Sequence, residues 1–181
     1  MGYAGGTSIN PTYYNLDGHT ETAQIDYDPT RISYNELLDV FWDSHDATRT
    51  PYSHQYKSII FYHDEAQRRL AIESQQQEEA RVGRKTTTEI TPFSEFYLAE
   101  AYHQKFFLRQ VPGLMADFSA IYPDTDEFIN STAAARVNGY VDGYGTPETL
   151  QKELESYGLS PTGNKKLLEI APAGSGICPL P

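Results

Sequence analysis

Cysteine is almost missing from this chain, which carries only Cys178 among its 181 residues. A single thiol cannot form a disulfide within the chain, and it excludes a metal site that needs two cysteine ligands. The five histidines show no spacing typical of metal ligands, such as the pair in a His-Glu-x-x-His helix. We therefore expect neither an intrachain disulfide nor a metal site.

Long hydrophobic runs are missing as well. No stretch of the sequence approaches the roughly 20 apolar residues that a membrane-spanning helix requires. The first six residues contain neither the basic region nor the apolar run of a secretory signal. We expect the protein to reside in the cytoplasm and to be built around a single core.

Basic residues are scarce, with 14 Lys and Arg against 25 Asp and Glu and a net charge of −11. A surface of this sign repels the phosphate backbone of nucleic acids and the anionic leaflet of a membrane. Neither is therefore an expected partner, and we expect a monomer.

Tyrosine, in contrast, is abundant, with 14 copies. The tyrosines either pack along a half-buried, loop-rich surface or present their hydroxyl groups to a polar ligand. Composition alone leaves both interpretations open.

Capping patterns in the sequence predict several helix boundaries. Ser33 and Glu36 form a capping-box pattern, which predicts a helix from there to about His45. Asp64 is a candidate cap for a long polar helix that ends near Gly83. A proline directly after Thr146 predicts a further helix start.

Alternating or β-branched stretches predict strands over residues 20–27, 55–62 and 86–91. Helical spacing follows over about 100–108, 112–122 and 125–141. This order predicts an α+β fold, or an α/β fold with a mixed sheet. We expect a single domain over residues 1–158, with a helical extension from about residue 112. A flexible Pro/Gly-containing tail is expected over 159–181.

Seven short strings, in order, resemble the peptide-methionine (S)-S-oxide reductases. They are Gly2-Tyr3-Ala4-Gly5-Gly6, Asn10-Pro11-Thr12-Tyr13, Gly18-His19-Thr20-Glu21, Phe41-Trp42-Asp43-Ser44-His45-Asp46, Gln55-Tyr56-Lys57-Ser58, Phe96-Tyr97-Leu98-Ala99-Glu100 and Tyr102-His103-Gln104-Lys105. The match runs from Gly2 to about Leu108, and residues 131–140 resemble an extension found in one branch of that family.

The resemblance implies a two-layer, ferredoxin-like mixed sheet with helices. It also implies an activity: thiol-dependent reduction of methionine-S-sulfoxide, free or in proteins, with thioredoxin restoring the enzyme. No metal and no organic cofactor are implied.

Three site residues are carried over by motif. Glu21 matches the carboxyl group that binds and protonates the sulfoxide oxygen, and Tyr13 and Tyr56 match the two tyrosines that hold this oxygen. An aromatic-lined pocket would raise the pKa of the Glu21 carboxyl. Strand alternation places Ala23 and Ile25 on the same inward face as Glu21. The alternative interpretation is that Glu21 is an ordinary exposed strand residue and that Tyr13 and Tyr56 serve only in packing.

The chain departs from the family pattern in two places. The family's Gly-Cys-Phe-Trp segment, with its attacking cysteine, lies upstream of Gly2, and a core strand is expected to go with it. We therefore expect poor turnover and marginal stability for this sequence. Many relatives also carry Asp-x-Gly-x-Gln-Tyr where this chain has residues 51–56.

The alternatives to an active reductase are a catalytically dead or truncated member that still binds oxidised methionine, and a chain start placed at an internal methionine.

Cys178 lies in a glycine-rich stretch, residues 174–179, that resembles the tail bearing the family's resolving cysteine. A mobile tail suits a thiol that must approach another sulfur and form a transient disulfide. The other interpretation is a terminal thiol without a function.

Overall fold

A computed structural model describes residues 1–171 of the chain. Strands lie near both ends of the first half of the chain. The chain divides into two compact units, Met1–Glu100 and a second unit that begins at Ala101. The first unit contains all strands of the described residues and two helices, and the second is helical. The predicted α+β class is confirmed, whereas one domain over residues 1–158 stays a prediction.

The first unit has five strands in two sheets. They are β1 (Gly2–Ala4), β2 (Thr20–Thr22), β3 (Ile59–Tyr62), β4 (Glu89–Pro92) and β5 (Phe96–Leu98). The first sheet is antiparallel in the order β2-β1-β5, and the second pairs β3 with β4 in parallel. In the first sheet Tyr3 lies opposite Glu21 on one side and Tyr97 on the other.

The central strand β1 is not among the strands predicted from the sequence. A strand of three residues is too short to show an alternating pattern, and two of its three residues are small. Gly2 is required there, because a Cβ atom at this position would lie 2.3 Å from the Phe96 ring and 2.4 Å from the Tyr97 carbonyl oxygen.

All three predicted strands are shorter in the structure, and the one expected over 86–91 covers Glu89–Pro92. The strand expected over 20–27 ends at Thr22, and the one expected over 55–62 begins at Ile59. Residues His54–Tyr56 instead form a 3-10 turn. Pairing explains these limits, because the ladder ends where the partner strand ends.

The first unit's two helices follow the predicted caps. Helix α1 spans Tyr34–Asp43 with the complete capping box, and α2 spans Glu65–Val82 between the Asp64 cap and a left-handed Gly83. Trp42 of α1 donates a hydrogen bond from Nε1 to Ser74 Oγ of α2 at 3.0 Å. The core around it contains Leu38, Trp42, Ala47, Ile60 and Ala71.

The second unit contains six helices among the described residues. They are α3 (Phe106–Arg109), α4 (Pro112–Ile121), α5 (Thr125–Asn130), α6 (Thr132–Val141), α7 (Pro147–Glu153) and α8 (Pro161–Ile170). The helix predicted over 125–141 is split at Ser131, whose side chain accepts a hydrogen bond from the Ala134 amide and begins α6. The predicted start at Thr146 is confirmed for α7.

The tail predicted from Leu159 is wrong as far as Ala171, because residues Pro161–Ile170 form α8. Leu159 and Leu167 of this segment are buried in the core of the second unit, beside Leu114, Phe118 and Leu150. One buried leucine per ten residues gives too weak a periodic signal to predict this helix. Residues 172–181, including Cys178, lie outside the described residues.

A membrane span was not expected, and none of the helices in residues 1–171 has the length and apolar character to cross a bilayer.

Candidate active site

Tyr13 and Tyr56, which are 43 positions apart, meet through their hydroxyl groups. The two oxygens lie 3.1 Å apart, so one phenol donates a hydrogen bond to the other. Tyr13 belongs to a turn that is closed by two backbone hydrogen bonds between Thr12 and Asn15. Tyr56 ends the 3-10 turn, and its side chain is 50% exposed. Two segments outside the strands and α-helices thus place one hydroxyl pair at the surface.

Glu21 lies in the middle of β2, next to the turn that carries Tyr56. Gln55 donates a hydrogen bond from Nε2 to Glu21 Oε1 at 2.6 Å. The buried Thr20 fixes the same junction, because its hydroxyl donates to the His54 carbonyl oxygen at 3.2 Å. The strand and the turn are therefore joined at Thr20 and at Glu21 itself. The hydrogen bond from Gln55 does not involve the second carboxyl oxygen of Glu21, Oε2.

The electrostatics of the pair favour a neutral phenol at Tyr56. The hydrogen bond to Tyr13 raises the pKa of Tyr56 to about 12, and partial desolvation and the negative charge of Glu21 act in the same direction. Glu21 therefore lies close enough for its charge to influence the pKa of the Tyr56 phenol. The Tyr56 hydroxyl is protonated near neutral pH and can donate a hydrogen bond.

The expected inward face of a long β2 strand is not observed. Glu21 is partly buried, but Ala23 is exposed and Ile25 is 59% exposed. Alternation fails here because the strand ends at Thr22, so residues 23–25 no longer follow the pleat.

Glu21 borders a cavity with apolar walls, although β2 itself presents no apolar face beside it. The cavity has a volume of about 580 Å³ and is lined by both Glu21 and Tyr56. Its apolar wall includes Leu37, Phe41 and Phe96. A carboxyl group and a phenol therefore border a space that suits the hydrocarbon part of a ligand.

Glu100 supports the Tyr13 side of the site. Its Oε1 atom accepts a hydrogen bond from the Tyr13 backbone N–H at 3.1 Å, and its Oε2 atom accepts one from the Tyr3 hydroxyl at 2.6 Å. Tyr3 is 1% exposed in the central strand β1. The turn that carries Tyr13 is thereby joined to the sheet through a carboxylate.

His19 supports the preceding loop. The Gly6 N–H donates to His19 Nδ1 at 3.2 Å, which leaves Nε2 as the protonated nitrogen that donates to the Ser8 carbonyl oxygen at 3.0 Å. The ring is 2% exposed and needs its neutral form to make both bonds. Only glycine fits at position 6, since a Cβ atom there would lie 2.4 Å from the His19 backbone nitrogen.

Residues 1–171 contain no cluster of three or more His, Cys, Asp or Glu side chains that could hold a metal ion. The candidate resolving thiol, Cys178, lies outside the described residues, so its role stays a prediction.

Two supporting residues, Gln55 and Glu100, were identified in the sequence only as members of motif strings. Their contacts with Glu21 and Tyr13 span 34 and 87 positions. No periodic pattern predicts contacts of this range. Their positions beside Tyr56 and after β5 within those strings are the only sequence signal of a site role.

Comparison with known proteins identifies the family to which the chain is similar. A sequence model of the family described as peptide methionine sulfoxide reductase matches residues 1–136. A peptide methionine sulfoxide reductase from Drosophila melanogaster is 44% identical over 164 residues, which cover 90% of this chain and 65% of the relative. Peptide methionine sulfoxide reductase A5 from Oryza sativa subsp. japonica is 38% identical over 180 residues, covering 96% and 66%.

Among solved structures, the reduced form of Mxr1 from Saccharomyces cerevisiae is similar with a TM-score of 0.57 and 29% identity. The similarity covers 61% of this chain and 69% of Mxr1. The chain spans slightly less than two thirds of the length of the two curated relatives. Together with the family match over residues 1–136, these similarities place the chain in the peptide methionine sulfoxide reductase family.

Proposed function

We propose that this protein acts in the thiol-dependent reduction of methionine-S-sulfoxide, free or within proteins, to methionine. The observation that carries the proposal is the contact between the Tyr13 and Tyr56 hydroxyls beside Glu21. Membership of the family supports the substrate class. The roles of Glu21, Tyr13 and Tyr56 in binding and protonating the sulfoxide oxygen are part of the proposal.

The arrangement suits a sulfoxide because its oxygen is a strong hydrogen-bond acceptor with no hydrogen of its own. The hydroxyl groups of Tyr13 and Tyr56 donate to this oxygen. The Oε2 atom of Glu21 delivers the proton that the oxygen gains, while Gln55 holds Oε1. The methyl and methylene groups of the substrate occupy the apolar cavity beside Glu21 and Tyr56.

The reaction consumes two thiols and releases one water. A thiolate attacks the sulfoxide sulfur and forms an S–S bond, while Glu21 protonates the oxygen. The protonated oxygen then transfers to the cysteine sulfur as the S–S and S–O bonds break, which gives methionine and a cysteine sulfenic acid. A second thiol then attacks the sulfenic sulfur, which forms a disulfide and releases water. A dithiol protein of the thioredoxin type reduces the disulfide. We assign Cys178 as the candidate second thiol.

A second candidate function is binding of oxidised methionine without turnover. This is favoured by one observation: the oxygen-binding groups are assembled among residues 1–171, whereas the sequence's only cysteine is Cys178. The reaction needs two thiols, and this sequence supplies one.

Binding is tested with N-acetylmethionine sulfoxide methylamide, resolved at sulfur, in calorimetric titrations. The S epimer should bind more tightly than the R epimer, and Tyr13→Phe and Tyr56→Phe should each weaken binding by roughly tenfold, the loss of one hydrogen bond. Tyr52→Phe is the matched control, because Tyr52 is 97% exposed and lies four positions from Tyr56. Equal binding of both epimers would contradict the proposed site.

Turnover is tested with dithiothreitol and the same S epimer. This sequence should turn over poorly, and Cys178→Ser should remove any activity that depends on its own thiol. Joining the family's Gly-Cys-Phe-Trp segment ahead of Met1 should raise the rate. In that form Glu21→Gln should lower the rate by roughly 10²- to 10⁴-fold. An unchanged rate would remove Glu21 from the mechanism, and binding without turnover in every form would favour the second function.

Three further expectations belong to this proposal: a two-layer ferredoxin-like arrangement, a monomer and a cytoplasmic location. Light scattering after size exclusion measures the mass, for which 20.4 kDa is expected. An experimental structure tests the layer arrangement.

A further inference from the structure

Glu100 uses both of its carboxyl oxygens on partners that belong to different parts of the first unit. Oε2 accepts from the hydroxyl of Tyr3, and Oε1 accepts from the backbone N–H of Tyr13. The bond lengths are 2.6 Å and 3.1 Å. Because the acceptor is a carboxylate, both bonds are of the stronger, charge-assisted kind.

The Tyr3 end of this arrangement is rigid. Tyr3 lies in the central strand β1, which is paired on both sides, and its side chain is 1% exposed. A buried aromatic ring with paired backbone has little freedom to move. The Tyr3 hydroxyl therefore fixes where the Glu100 carboxylate lies.

The Tyr13 end is less constrained by its own structure. Residues 5–19 contain no strand or helix, apart from a single bridge between Thr12 and Asn15. Tyr14, the neighbour of Tyr13, is 91% exposed. The backbone bond from Tyr13 to Glu100 joins this turn to the sheet, and the Tyr13 phenol extends from the same residue towards Tyr56.

We propose that Glu100 is a positioning residue of this site: it holds the Tyr13 backbone so that the Tyr13 hydroxyl meets the Tyr56 hydroxyl. Glu100 acts through the backbone of Tyr13, whose N–H donates to its Oε1 atom. The consequence for sulfoxide binding rests on the function proposed above. The positioning itself does not.

The chemistry of the side chain gives a test by substitution. Glu100→Ala removes both acceptors, so the Tyr13 turn loses its bond to the sheet. Glu100→Gln keeps one oxygen for the Tyr13 N–H, and its amide group can donate to the Tyr3 hydroxyl oxygen. Glutamine should therefore preserve the arrangement without the charge, and alanine should not.

The readout is the acidity of the Tyr56 phenol, which depends on its contact with Tyr13. We would replace Tyr56 by 3-fluorotyrosine and follow its ionisation by fluorine NMR, because fluorination shifts the titration to a less alkaline pH. Glu100→Ala should lower the pKa of this phenol by as much as Tyr13→Phe does, and Glu100→Gln should leave it near the parent value.

Glu95→Ala is the matched control. It removes another carboxylate that accepts a hydrogen bond from a tyrosine, the exposed Tyr97 hydroxyl at 2.7 Å, only five positions from Glu100. This variant should leave the titration at position 56 unchanged. Thermal melts of all variants show whether each one is folded at the pH of measurement.

The proposal is overturned if Glu100→Ala is folded and leaves the pKa at position 56 unchanged. It is also overturned if Tyr13→Phe has no effect on this pKa, since Glu100 then has no hydroxyl pair to position. If Glu100→Ala does not fold, Tyr3→Phe replaces it: loss of the rigid partner should again lower the pKa, and an unchanged value overturns the proposal.

Substrate binding separates this proposal from the proposed function. With N-acetylmethionine-S-sulfoxide methylamide, Glu100→Ala should weaken binding about as much as Tyr13→Phe, roughly tenfold, and Glu100→Gln should restore it. If the parent protein binds no sulfoxide, the proposed function fails, while the titration at position 56 still decides the role of Glu100.

Discussion

Tyr56 illustrates how a single contact determines the behaviour of a half-exposed side chain. The pKa of its phenol is raised to about 12 chiefly by the hydrogen bond to Tyr13, and desolvation is a smaller cause. The motif strings predicted both tyrosines as site residues, but the contact itself depends on the geometry of two irregular segments. Sequence patterns describe such segments poorly, because they have no repeating period.

The shifted phenol predicts a loss of stability in alkaline solution. A group whose pKa is higher in the folded state than in the unfolded state favours folding below the unfolded pKa, near 10, and this contribution is lost as the pH rises to about 12. We expect Tyr56→Phe to reduce the fall in the free energy of unfolding over this range, measured by urea titrations. Tyr52→Phe is the control, since Tyr52 is 97% exposed. Identical pH profiles for the two variants would contradict the prediction.

At the scale of the element, the helix starts are set by local hydrogen bonds. The side chain of Ser33 accepts from the Glu36 N–H, and Glu36 in turn accepts from the Ser33 N–H. Both bonds lie within four residues, so sequence alone is sufficient to predict where α1 begins.

Removing this cap should weaken α1. We expect Ser33→Ala to lower the free energy of unfolding by about 1 kcal/mol, the usual cost of losing an N-cap side chain. Ser33→Asp should retain most of the stability, because aspartate is an equally good N-cap. The measurement is urea unfolding followed by the fluorescence of Trp42, the chain's single tryptophan, which lies in α1. Equal stability of Ser33→Ala and the parent would argue against the cap.

The strands that sequence analysis missed share a different property. Strands β1 and β5 have three residues each, and each is defined by pairing with a segment far away in the chain. The predicted strand over 20–27 was too long because the alternation continues in the sequence where the partner strand has already ended. Caps are local and could be predicted, whereas strand pairing is not local and could not.

At the scale of the whole molecule, the second unit continues beyond the part that the family model covers. That match ends at residue 136, inside α6. Leu150, Tyr157 and Leu167 lie after this point and are buried in the same core as Phe118. The residues that follow the family match therefore complete the packing of the second unit.

Two adjacent leucines in α8 test this packing. Leu167 is fully buried, whereas Leu168 is 43% exposed. Leu167→Ala should lower the free energy of unfolding by about 2–5 kcal/mol, the cost of a cavity in a packed core. Leu168→Ala should lower the free energy of unfolding by much less than Leu167→Ala does. Helical circular dichroism during urea unfolding measures both, and equal effects would mean that α8 does not pack as described.

The contact between Tyr13 and Tyr56 also affects the thermodynamics of ligand binding. In the free protein each phenol already has the other as a hydrogen-bonding partner, at 3.1 Å. An incoming acceptor exchanges one hydrogen bond for others, so the heat released at the hydroxyls is a small difference between similar quantities. Affinity must then come mainly from apolar groups that enter the 580 Å³ cavity. Calorimetry on a series of sulfoxides with lengthening hydrocarbon chains would therefore give increasingly negative heat-capacity changes and nearly constant polar enthalpy.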